Sequence, residues 1–104
     1  MIPQKIQKGN IMNNKLKNEQ NDKLFSAVLS LKNLEECYNF FDDLCTVAEI
    51  QAMSQRLAVA KMLANGCAYN EIATATGAST ATISRIKRCL NYGSDGYKMV
   101  LERL

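Results

Sequence analysis

From Asp22 onward, hydrophobic positions fall at spacings of three and four, the period of an amphipathic helix. Leu24, Phe25, Val28, Leu29 and Leu31 lie on one broad stripe, which Lys32-Asn33 interrupts. Leu34, Cys37, Tyr38, Phe41 and Leu44 form a second stripe. Glu35 and Glu36 stand in its first turn, where the helix dipole favours anions. Thr46-Val47-Ala48-Glu49 has the form of a capping box and opens a third helix, with Ile50, Met53, Leu57, Ala60 and Ala64 at helical spacing. Asn65-Gly66 ends it by tolerating the left-handed conformation. The only proline is Pro3, so nothing breaks these helices. Residues 1–21 are rich in Asn, Lys and Gln and lack apolar periodicity. They are expected to be a disordered polar arm ahead of a single helical domain over residues 22–104. Met12 is a candidate natural start, because Lys8-Gly9 can be encoded by a purine-rich ribosome-binding sequence; a native mass matching the Met1 form would refute it.

The stretch from Ala68 to Asn91 holds the parts of a helix-turn-helix, which needs a short helix, a tight turn and a second helix at a steep angle. Ile72 supplies the buried side of the first helix, and Ala73 is small where the two helices touch. Gly77 allows positive φ in the turn. Ala78 points inward, and Ser79 is an N-cap for the second helix. Ile83, Ile86 and Leu90 make its inner stripe, and Asn91-Tyr92-Gly93 closes it. The weak point is Ala68, which stands where a capping Ser or Thr is expected. On the outer side of the second helix stand Thr80, Ala81, Ser84, Arg85 and Arg88, with no acid between Ser79 and Tyr92. Small side chains at its start let the backbone approach base edges, and a methyl or hydroxyl there suits a thymine methyl or a base-edge bond. Cations toward its end suit phosphates, and Arg85 also suits guanine. The candidate DNA-binding set is therefore Ser79, Thr80, Ala81, Thr82, Ser84, Arg85, Lys87 and Arg88, with Gly77 making the turn.

Charge sharpens this picture. The net charge of +3 means little alone, but its distribution is uneven. Residues 79–104 carry Arg85, Lys87, Arg88, Lys98 and Arg103 against only Asp95 and Glu102, and residues 1–23 carry five lysines against Glu19 and Asp22. The middle of the chain is acidic. Such clustering is the footprint of a protein that meets phosphates.

Other chemistries find little support. The chain has no His, which removes the commonest general base near neutral pH. There is no Gly-rich phosphate loop and no nucleophile–base pair at recognisable spacing. The pair Asp42-Asp43 reads as solvated helix surface. Cys37, Cys45, Cys67 and Cys89 form no CxxC, so buried free thiols are expected and no metal. No apolar run spans a bilayer and no signal peptide is evident, so a cytoplasmic, non-enzymatic protein is expected.

Thr46 through Asn91 resembles the Trp repressor superfamily. The string Thr-Gly-Ala-Ser-Thr-Ala-Thr-Ile-Ser-Arg at 76–85, followed by Leu90-Asn91-Tyr92-Gly93, is similar to its YerC/YecD branch, a bacterial group. The likeness extends over residues 22–104. It implies an all-α fold of about six helices in an intertwined homodimer, presenting two recognition helices to successive major grooves. The last helix, over residues 95–104, would pack Tyr97, Val100, Leu101 and Leu104 into that dimer. By the same resemblance Thr46, Arg56 and Arg85 match residues lining the amino-acid pocket of the tryptophan repressor. Ile86, however, stands where that pocket has a glycine, and its side chain would fill the indole position. Tryptophan is therefore not expected, and the sequence points to no other cofactor. Arg56 would pair with an acid, and Arg85 would face DNA. The leading expectation is a sequence-specific transcriptional repressor bound to double-stranded DNA. The alternative is a protein–protein or nucleic-acid accessory module without operator specificity.

Overall fold

The computed structural model describes residues 15–104, and six α-helices make up nearly all of their regular structure. They are α1 (Glu19–Leu29), α2 (Leu34–Leu44), α3 (Val47–Ala64), α4 (Tyr69–Thr76), α5 (Thr80–Tyr92) and α6 (Gly96–Arg103). The chain divides into two compact units at Thr46 and Val47. The expectations of a disordered arm over residues 1–14 and of a start at Met12 lie outside the described residues.

In the first unit, α1 begins three residues before the apolar pattern does. Asn18 is the reason: its side chain accepts the Asn21 amide at 2.7 Å, and Lys17 pairs with Asp22 at 2.7 Å across the first turn. Residues 19–21, assigned to the arm by composition, are therefore helical. α2 starts in a similar way. Asn33 Oδ1 accepts the Glu36 amide and Glu36 Oε1 accepts the Lys32 amide, each at 2.9 Å. Neither helix buries a single residue, although both carry the apolar stripes read from the sequence. Leu29, Leu34 and Tyr38 are 84 %, 72 % and 71 % exposed.

A core exists in the second unit. Val59 and Ala60 of α3, Ile72 of α4, Ala78 of the turn, and Ile83 and Ile86 of α5 are buried together. Met62, Leu63, Cys67, Tyr69, Ala73, Tyr97 and Leu101 pack around them. The expected stripe of α3 is thus only partly the one used. Ala60 is buried, but Met53 and Leu57 are exposed and Val59 takes a central place. α3 is apolar on several sides, and α4 and α5 pack beside its C-terminal half, so contact decides which side is covered. α6 contributes Tyr97 and Leu101 to this core, while Val100 and Leu104 remain exposed.

The ends of α3 and α5 follow from local backbone chemistry. Gly66 has φ +83°. Its amide donates to Leu63 O at 3.0 Å and the Cys67 amide to Met62 O at 3.0 Å, the paired closure of a Schellman motif. Gly93 ends α5 for a different reason. A Cβ there would lie 2.4 Å from the carbonyl oxygen of Cys89. All four cysteines are free; contrary to the expectation of burial, Cys37, Cys45 and Cys67 are half-buried and Cys89 is exposed.

Candidate nucleic-acid interface

The helix-turn-helix forms where the sequence places it, and each end is held by an identifiable group. α4 lacks a capping hydroxyl because Ala68 precedes it. Glu71 compensates from inside the helix, its Oε1 accepting the Ala68 amide at 2.8 Å. At the other end Gly77 adopts φ +76°, ψ +5°, and its amide donates to Ala73 O at 2.9 Å. Thr76 bridges the turn: its hydroxyl donates to Ile72 O at 2.7 Å and accepts the Ala78 amide at 3.1 Å. Ala78 is then buried, and Ser79 caps α5 by accepting the Thr82 amide at 3.1 Å.

One side of α5 is fixed by packing. Ile83 and Ile86 are 0 % and 2 % exposed, and Leu90 continues the stripe. The opposite side is open. Ser79, Thr80, Ala81, Ser84, Arg85, Lys87 and Arg88 are all exposed, and Thr82 is half-buried. Among the described residues none of Arg85, Lys87 and Arg88 is paired with a carboxylate. The helix therefore offers three uncompensated cations behind a small-residue leading end.

Within that set the side chains differ in what they are free to do. The Ser79 hydroxyl also donates to Thr82 Oγ1 at 3.1 Å, so these two serve the cap. The Lys87 ammonium leans toward α4 and sits 5.7 Å from the centre of the Tyr69 ring, a cation–π distance. Thr80, Ala81, Ser84, Arg85 and Arg88 are left facing outward without such ties.

Of the residues aligned with an effector pocket, Ile86 is buried and Arg85 is exposed. Thr46 closes the first unit, whereas Arg56, Arg85 and Ile86 belong to the second. Arg56 is half-buried, and no acid partner is found for it among the described residues, contrary to expectation. Sequence reasoning also missed Gln55, which reaches the turn from α3. Among the described residues no cluster of His, Cys, Asp or Glu could hold a metal ion, and no helix is long and apolar enough to cross a membrane.

Among the described residues all regular elements are helical, and a helix-turn-helix whose second helix is packed on one side and bare on the other has the build of a DNA-binding regulator, the class to which the family points. The sequence matches the Trp repressor protein family over residues 19–104, and the chain belongs to that family. It is 63 % identical over 90 residues to YerC of Bacillus subtilis (strain 168), with 86 % of each chain covered. Its fold is similar to the crystal structure of a TrpR-like protein from Eubacterium eligens, with TM-score 0.84, 59 % identity, and 88 % and 94 % of the two chains covered. A provisional Trp repressor from Staphylococcus aureus is similar at TM-score 0.82 and 60 % identity, covering 86 % of this chain and 89 % of the other.

Proposed function

We propose that this protein is a sequence-specific transcriptional repressor that binds double-stranded DNA as a homodimer and reads the major groove with α5. The observation that carries the reading is the exposed, acid-free side of α5, with three cations that no carboxylate pairs among the described residues and small residues at its start. Dimerisation is supported by the first unit, where α1 and α2 carry apolar stripes and bury nothing. A second copy of the chain would cover them.

Regulation proceeds without tryptophan in this reading. Ile86 lies in the core, and forcing an indole against it would cost roughly 1–3 kcal/mol by overpacking. Stoichiometric tryptophan binding in a calorimeter would refute that part alone.

Selection from a random DNA pool tests the whole reading. An enriched palindrome is expected, its half-sites about one helical turn apart, roughly 34 Å. On that site Arg85→Ala and Thr80→Val should each weaken binding by about 1–3 kcal/mol with little change in melting temperature. A pool with no enrichment, together with binding insensitive to salt, would point to an accessory docking role instead.

A further inference from the structure

One side chain ties the turn of the helix-turn-helix to α3. Gln55 Nε2 donates to the main-chain carbonyl of Thr76 at 3.1 Å, across a separation of 21 residues. Thr76 is the last residue of α4, so its carbonyl is among those a helix end leaves without an intrahelical donor. Only the amino end of the Gln55 amide can serve a carbonyl. The amide also lies against the glycine that makes the bend: a Cβ on Gly77 would be 3.9 Å from Nε2. The next residues, Ala78 and Ser79, are the buried plug and the cap from which α5 departs.

The buried core that α3 shares with α4 and α5 is apolar. Val59 and Ala60 meet the Ile83 and Ile86 side of α5 in the core. Burial of this kind is strong but non-directional. A hydrogen bond to a carbonyl has a preferred distance and angle, and so resists sliding or rolling of the turn. A helix that reads base edges needs that restraint, because its contacts tolerate displacements of only about 0.5 Å.

We infer that Gln55 is a positioning residue: by holding the Thr76 carbonyl it sets the angle at which α5 presents Thr80, Ser84 and Arg85 to a duplex. The inference rests on the DNA-binding reading of α5 for its consequence, but the restraint on the turn is a property of the free protein.

The test uses the full chain with Gln55→Met and Gln55→Glu. Methionine keeps the length and loses the donor. Glutamate loses the donor when ionised and regains one when protonated. At pH 7.5 the methionine variant should bind the selected duplex roughly three- to tenfold more weakly, the worth of one hydrogen bond, and the glutamate variant more weakly still, because its carboxylate faces the Thr76 carbonyl oxygen. The methionine variant should keep its affinity for an unselected duplex. Toward about pH 4.5 the glutamate deficit, measured against the parent at the same pH, should shrink while the methionine deficit persists. In the free protein at pH 7.5, the Gly77 and Ala78 amides should exchange with solvent faster in both variants, with Val59 and Ala60 unchanged. A methionine variant that binds as the parent does and exchanges as the parent does overturns the inference. So does equal loss on selected and unselected DNA with a lowered melting temperature, which would make Gln55 merely stabilising. If the parent selects no duplex, the DNA reading fails, and amide exchange alone then decides whether Gln55 holds the turn.

Discussion

Replacing Arg88 by alanine tests the electrostatic half of the proposed interface with a number attached. Arg88 is exposed, and no carboxylate partners it among the described residues. Removing it should leave the fold within about 0.5 kcal/mol of the parent, as for other surface changes. If Arg88 neutralises one phosphate per protomer, a dimer loses two such contacts. Each contact contributes about 0.9 to the slope of log K against log salt, so the slope should become shallower by about 1.8. Between about 50 and 200 mM salt, a fourfold range, the parent should then lose roughly twelvefold more affinity than the variant. The deficit of Arg88→Ala should be largest at low salt and narrow steadily as salt rises. Fluorescence anisotropy with a labelled selected duplex, read at several potassium chloride concentrations, measures this directly. A parallel pair of salt lines refutes the phosphate assignment. A lowered melting temperature would show instead that Arg88 supports the fold.

Further expectations follow from the backbone and the bare helices. Gly93→Ala should lower the melting temperature, since the new Cβ meets the Cys89 carbonyl at 2.4 Å and the chain must shift; an unchanged thermal scan would show that α5 can end otherwise. Gly77→Val should be destabilising by about 1–2 kcal/mol or more, because a β-branched residue resists φ +76°. Denaturant titration would detect it, and an unchanged midpoint would count against the turn geometry. If the proposed homodimer forms through α1 and α2, Leu34→Asp should shift it to monomer in sedimentation, and a variant that stays dimeric would place the association surface elsewhere.

What was legible in the sequence was mostly local. The turn could be read because Gly77, Ala78 and Ser79 each have one physical reason to stand there, and the structure uses each for that reason. Ile83, Ile86 and Leu90 were legible because α5 has its large aliphatic residues on one side only. α3 has them on several, so periodicity could not choose Val59 over Met53 and Leu57. The start of α1 was missed because its cap, Asn18, lies among other polar residues, with no apolar position between it and Leu24 to mark a register. The cap of α4 was recoverable: Glu71, three residues after Ala68, carries half of a capping box. Gln55 had no signal at all. A glutamine in mid-helix is ordinary, and only its reach across 21 residues gives it meaning.

The exposed thiol of Cys89 has a practical consequence. Its three fellow cysteines are half-buried, so a thiol-reactive dye added briefly under native conditions should couple to it first. The label would sit one helical turn from Arg85, at the end of α5 proposed to meet phosphates, as a built-in reporter of docking. Occupancy could then be followed by optical signal alone, from a protein otherwise lacking tryptophan fluorescence.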